Sequence, residues 1–308
     1  MRGLVVVILL LLFATALAGC EENLAPRDPF EAPFSLYGVL SPDLAMQSIR
    51  VYPLEDFPTL GTPEPLHAHV FSTDLETGER RTWQDTVLVE PNGQHEYLYW
   101  SAFRAAYGHR YRVEAVRRSD GAMSFAEVRV PDPVTVRIAD DRDASAVQVL
   151  IEGEGIRALK PEAEYILANL APGCEVLRNR FSYAGRERRV EGGWRVDINM
   201  VADRFDILFN CGGITVFAHP FCPPFFLLLR ALDLHVLVGD VAWDPPGGLF
   251  DPDILSEHTT MTNVENGFGF IGAGYRIVAP LFPSEEALEY ACFRYFEEGD
   301  TETERGGS

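Results

Sequence analysis

From Phe34 onward the chain alternates between apolar and polar positions with a period of two. Phe34, Leu36, Gly38 and Leu40 fall on one side of that pattern, and Ser48–Tyr52 repeats it around Ile49 and Val51. Leu66–Phe71, Arg81–Val89, the aromatic-rich Tyr97–Phe103, Tyr111–Val116 and Ser124–Val130 continue it. A period of two puts one face of a strand in the core and the other in solvent, so each stretch predicts a half-buried strand. Turn chemistry separates them: Asp74–Gly78, Tyr107-Gly108 and Ser119-Asp120-Gly121, the last predicting a hairpin. Short strands at this spacing, with no helical period among them, predict an immunoglobulin-like β-sandwich over residues 34–131. Pro131-Asp132-Pro133 ends it, because proline removes a ladder donor, and predicts a domain boundary.

The second half is again strand-like. Val134–Ile138, Ala146–Ile151, Glu164–Asn169 and Trp194–Met200 are strand candidates, and Asp140–Asp143 reads as a polar turn. Phe225–Val238 is long and apolar, consistent with a buried strand pair or a short helix; Val241–Pro252 reads as a loop. One segment has clear helical character, Ser284–Phe296. Ser284 suits an N-cap, Glu285 and Glu286 favour the positive end of the helix dipole, and Leu288, Cys292, Tyr295 and Phe296 share a face. The expectation is a mainly β protein: a second β-rich module over 132–282, a helix over 283–297, and a tail over 298–308 too polar to build a core.

The N-terminus carries a different pattern. Arg2 precedes an unbroken apolar run, Leu4–Ala14, which is shorter than a bilayer span requires and matches a signal-peptide core. Small residues follow, ending Leu17-Ala18-Gly19-Cys20. This ending resembles the lipobox of bacterial lipoproteins. The resemblance implies that residues 1–19 are removed as a signal peptide, that Cys20 receives a diacylglycerol, and that its new amino group is acylated with a fatty acid such as palmitate. Two or more acyl chains give lasting membrane anchorage. Residues 20–33, acidic and proline-rich, read as a tether that lifts the domain off an outer membrane, on its periplasmic or its surface side.

Charge narrows the partners. Acidic residues outnumber basic ones 46 to 26, for a net charge of −20, which disfavours nucleic acid and anionic lipid surfaces as partners. At 47% hydrophobic the chain can bury a sizeable core. Beyond Cys20 stand Cys174, Cys211, Cys222 and Cys292, an even set that allows disulfides in an exported protein. Cys211 and Cys222 are the expected pair, because Gly212-Gly213 and Pro220 between them favour a loop.

Catalytic chemistry is hard to find. There is no GxSxG, no HExxH, and no cysteine beside a histidine base. His67 and His69 lie two apart on a predicted strand, but two ligands do not make a metal site. Asp140, Asp141 and Asp143, like Asp251 and Asp253, lack the spacing of a calcium loop. Tyr97, Tyr99, Trp100 and Phe103 suit a sugar surface or, more commonly, a core. Gly267-Phe268-Gly269-Phe270-Ile271-Gly272 matches GxGxxG, but a dinucleotide fingerprint follows a buried strand and opens a helix. Here polar residues precede it and Tyr275–Ala279 reads as strand, so it is expected to be a packed strand whose glycines admit a close neighbour. No metal or cofactor is expected.

Thr262–Tyr275 (TNVENGFGFIGAGY) resembles a family of uncharacterised bacterial lipoproteins, a domain of unknown function found mainly in Bacteroidetes-like lineages and often encoded near TonB-dependent receptors. Asn263, Asn266, Gly267, Gly269, Phe270 and Gly272 fit its closing asparagine-led, glycine- and phenylalanine-rich strand. Phe34–Val51 and Tyr107–Pro131 look like its opening strands and the end of its immunoglobulin-like module. The resemblance implies a noncatalytic, ligand-binding or scaffolding accessory of an outer-membrane receptor system. A secreted hydrolase acting on glycan or peptide and a purely structural envelope protein are the other expectations.

Overall fold

The computed structural model describes residues 32–54, 66–89, 95–140, 146–168, 178–210, 227–243 and 262–297. The first half supplies β1 (Phe34–Leu40), β2 (Gln47–Pro53), β3 (Ala68–Asp74), β4 (Arg80–Thr82), β5 (Gln84–Val89), β6 (His95–Ser101), β7 (Arg110–Arg117) and β8 (Met123–Arg129). One sheet runs β1-β2-β6-β5 and the other β8-β7-β3-β4, each neighbour antiparallel. This is the immunoglobulin strand order. Alternate residues from both sheets meet in one core, among them Leu36, Ile49, Val51, Val70, Val113, Ala115 and Val128. Tyr111 opens β7, and its hydroxyl accepts the Ala106 N–H at 2.9 Å. That tyrosine corner fixes the loop entering β7.

The second half supplies β9 (Thr135–Asp140), β10 (Val147–Glu152), β11 (Ile156–Leu167), β12 (Arg178–Ser182), β13 (Arg188–Val190) and β14 (Gly193–Ile198). Helix α1 (Met200–Asn210) follows, then β15 (Leu227–Asp240), β16 (Val264–Glu265), β17 (Gly267–Leu281), helix α2 (Glu285–Tyr290) and β18 (Phe293–Tyr295). The sheet β13-β14-β10-β9 packs across a second core onto β12-β11-β15-β17. The protein is therefore mainly β, as its alternation predicts.

β17 belongs to both halves. Gly267–Ala273 pairs in parallel with β1, and Gly274–Leu281 pairs antiparallel with β15. A single nine-stranded sheet thus passes through both sandwiches. The chain is strand-free from Val130 to Val134, where the boundary is predicted, but residues 34–131 do not complete the first sandwich. β16 pairs with β8, and Val264, Ile271 and Ala273 are buried in the first core.

Two helices differ from expectation. α2 begins as predicted, with the Ser284 hydroxyl accepting the Ala287 N–H, but it ends at Tyr290 instead of running to residue 297. Cys292 adopts a left-handed φ of 58° and turns the chain into β18, which pairs with Leu227–Leu229 of β15 just past the point where β17 stops. Burial of Phe293 and this strand pairing override the helical pattern. α1 stands in a stretch that shows no clear helical stripe. Its buried face consists of Met200, Asp203, Arg204, Ile207 and Leu208, so two charged residues interrupt the apolar period.

Candidate functional site

The glycine-rich strand sits at the joint between the sandwiches, and each of its marked residues has a structural partner there. Asn266 adopts φ 49° between β16 and β17, and its carbonyl accepts the Ser124 hydroxyl at 2.6 Å. The same hydroxyl oxygen accepts the Phe34 N–H at 3.1 Å, tying the start of β1 to the turn. A Cβ on Gly267 would overlap the Phe34 carbonyl oxygen, and one on Gly269 would overlap that of Leu36. Gly269 also has φ 99°, which L residues rarely adopt. A Cβ on Gly272 would come within 2.8 Å of the Phe270 ring.

Phe270 packs on Trp243, ring centroids 6.0 Å apart, and the two form a small core at the joint with Leu159. Trp243 is seated by glycines on two strands: a Cβ on Gly239 would lie 2.6 Å from its ring and one on Gly274 2.9 Å.

Where β17 changes partners, side chains take the place of the missing strand. On the side where β15 pairs further along, Asn263 covers the bare edge. Its backbone N–H donates to the Gly269 carbonyl at 3.3 Å, its amide NH₂ donates to the Ile271 carbonyl at 2.7 Å, and its amide oxygen accepts the Ile271 N–H at 3.0 Å. Asp240 follows, accepting the Ala273 N–H at 3.0 Å. On the opposite side, beyond the end of β1, Asp43 accepts the Arg276 N–H at 2.9 Å. The buried groups among these, such as the Ala273 N–H, need such partners, because each one left bare costs roughly 1–3 kcal/mol.

Asp240 is 4% exposed, and its other oxygen accepts the Ala242 N–H at 2.7 Å. Burial raises its pKa to about 6, against the opposing pull of these backbone donors. The folded state therefore binds a proton more tightly than the unfolded chain does. Between the ordinary value of 3.8 and about 6 the folded form holds more protons, so this carboxyl adds stability as pH falls and removes it as pH rises. The wild type is expected to gain about 2 kcal/mol from Asp240 between pH 7 and pH 4, at 1.36 kcal/mol per pKa unit. Melting curves across that range for wild type and Asp240→Asn isolate the contribution. An identical pH profile for both proteins would refute it.

Three other carboxylates are held by fixed donors. Asp203, on α1, accepts the hydroxyls of Tyr165 and Tyr183, each at 2.7 Å. Burial pushes Asp203 up against the lowering effect of those hydrogen bonds, and burial together with the nearby carboxylate pushes both tyrosines up. Glu164 is met by Arg180 at 3.0 Å and His235 at 2.9 Å; burial opposes its charge, but these two partners hold its carboxyl below the usual range. Asp74 is likewise disfavoured by burial and lowered on balance by His109 at 2.8 Å and by the N–H groups of Glu76 and Thr77 in the predicted turn. Sequence reading missed Asp203, Glu164 and Asp240. Each is an acidic residue at a buried position, but its element carries other charged residues as well, so no sequence signal set it apart.

No protein-family model matches the chain, and no curated protein matches it. The resemblance therefore rests on the sequence of Thr262–Tyr275, Phe34–Val51 and Tyr107–Pro131. Cys20, Cys174, Cys211 and Cys222 lie outside the described residues, so the expected Cys211–Cys222 pairing does too. Cys292 is disulfide-bonded. Asp141, Asp143, Asp251 and Asp253 also fall outside. His67 and His69 are exposed, and among the described residues no three potential metal ligands gather. Tyr99 and Phe103 are buried in the first core and Tyr97 packs against it. Trp100 follows Tyr99 on β6 and donates its indole N–H to Thr86, so the four aromatics do not form one surface.

Proposed function

We propose that this chain is a lipid-anchored envelope protein without catalysis of its own, serving as a scaffolding or ligand-binding accessory of a TonB-dependent outer-membrane receptor system. The observation that supports this most is the shared strand. β17 is hydrogen-bonded into both sandwiches, so bending at the joint breaks backbone bonds. Such a joint suits a part that holds a fixed spacing, not one that closes over a substrate. The polar groups of the joint, Asn263, Asp240 and Asp43, are occupied with backbone partners, which also suits a frame.

Cys20 carries the anchor in this reading, through lipid rather than a spanning helix. Metabolic labelling with a fatty-acid analogue is expected to mark the wild type and not Cys20→Ala, which accumulates as uncut precursor or as unanchored protein. A TonB-dependent receptor is expected to co-purify with the labelled form from detergent-solubilised membranes. Label retained by Cys20→Ala would overturn the anchor. Turnover of a glycan or peptide substrate by the purified chain would overturn the noncatalytic assignment.

A further inference from the structure

The acidic chain carries one basic flank. Acids outnumber bases 46 to 26 overall, yet between Arg178 and Arg195 six arginines stand against Glu187 and Glu191. The fold concentrates them. Among the described residues β12 is the outer strand of the nine-stranded sheet and β13 the outer strand of the four-stranded one. The short turn from Tyr183 to Glu187 joins the two, so both edges, unpaired among the described residues, lie on one flank of the second sandwich.

Arg178, Arg180, Arg186, Arg188 and Arg189 are exposed. Arg180 is neutralised by Glu164 and Arg195 by Asp197, each at 3.0 Å. Arg186 lies over the Tyr183 ring at 5.4 Å. Among the described residues Arg188 and Arg189 have no carboxylate partner, and Arg186 meets one only at longer range, through its electrostatic pull on Asp203. Arg188 also stands directly opposite Arg195 in the β13–β14 register. Like charges placed so destabilise a sheet, and an incoming anion relieves them.

We infer that the outer edge of β13, with Arg186, Arg188 and Arg189, is a docking site for an acidic, extended segment of a partner protein. A free strand edge offers amide and carbonyl groups that only another polypeptide complements. Guanidinium forks match carboxylates. The acidic remainder of the molecule disfavours an acidic partner elsewhere, which leaves this flank as the complementary surface. The same arginines oppose edge-to-edge pairing with a second copy, whose edge is equally basic. A lipid headgroup would satisfy the guanidiniums and leave the strand edge bare. The site goes beyond the anchored-accessory reading and does not depend on lipidation of Cys20.

The test uses the full chain and a fluorescein-labelled peptide of about twelve residues alternating Glu and Thr, long enough to cover a strand of ordinary length. Fluorescence anisotropy is expected to show binding that weakens about tenfold or more as salt rises from about 50 to about 200 mM. A Gln-Thr peptide is expected not to bind. Arg188→Glu/Arg189→Glu loses at least about tenfold in affinity with an unchanged melting temperature, as exposed substitutions generally leave it. Arg188→Gln/Arg189→Gln serves if the charge reversal does not fold. Vesicles of phosphatidylcholine with phosphatidylglycerol form the second arm. Binding to vesicles but not to peptide, equal peptide binding by the variants, self-association through this edge, or no binding at all would each overturn the proposal.

Discussion

Gly269→Val is expected to lower the stability of the protein by about 3 kcal/mol or more, read as a shift in the urea midpoint with an unchanged slope. Two costs combine. The backbone at Gly269 has φ 99°, a region that a β-branched residue reaches only with strain of roughly 1–3 kcal/mol. A Cβ there also overlaps the Leu36 carbonyl oxygen and lies 3.1 Å from the Tyr37 ring. Leu36 belongs to the neighbouring strand of the same sheet, so relief requires β1 and β17 to separate. Gly269→Ala shares both costs in smaller measure. NAD is expected to leave the melting temperature unchanged, because residues 267–272 form strand and no helix N-terminus presents amides to a phosphate. An unshifted urea midpoint for Gly269→Val, or a thermal shift with NAD that this variant loses, would refute the account.

Local signals were legible in the sequence. The period-two alternation of Tyr111–Val116 marks a strand because one face of it is buried, and Ser284 marks a helix start because its hydroxyl caps one. The glycines of Gly267–Gly272 read as a strand under pressure from a neighbour, and the neighbour proves to be β1 with the Phe270–Trp243 pair. What could not be read is non-local. Nothing in Pro131-Asp132-Pro133 tells that residues more than a hundred positions later return to the first sandwich. Nothing in Asn263 announces that its amide imitates a strand. α1 was hidden for a different reason: Asp203 and Arg204 face inward, where Asp203 binds two tyrosines, so the helix shows no continuous apolar stripe. At the C-terminus the helical spacing of Leu288, Cys292 and Tyr295 is real, yet the bare edge of β15 beyond Leu281 captures residues 293–295 as strand.

A fragment spanning residues 34–131 is expected to be marginal alone and to fold cooperatively when a peptide spanning Thr262–Tyr275 is added. The fragment holds β1 to β8, the complete immunoglobulin set, but lacks what β16 and β17 contribute. Val264 and Ile271 leave its core, and each such side chain contributes about 1.5–3 kcal/mol when buried. β1 also loses its parallel partner from Phe34 to Leu40, and Ser124 loses the Asn266 carbonyl. Losses of this size approach the whole stability of a small domain, about 5–15 kcal/mol. The peptide restores the missing strand, and because it binds only the folded form, it stabilises by about 2.7 kcal/mol at a hundredfold excess over its Kd. A Gly269→Val peptide is expected to fail, since its Cβ meets Leu36 in the same register. Urea unfolding of the fragment with and without peptide decides the matter. A fragment that unfolds cooperatively at one midpoint regardless of peptide would show that the first sandwich is complete at residue 131, and that β17 is an addition to it rather than part of it.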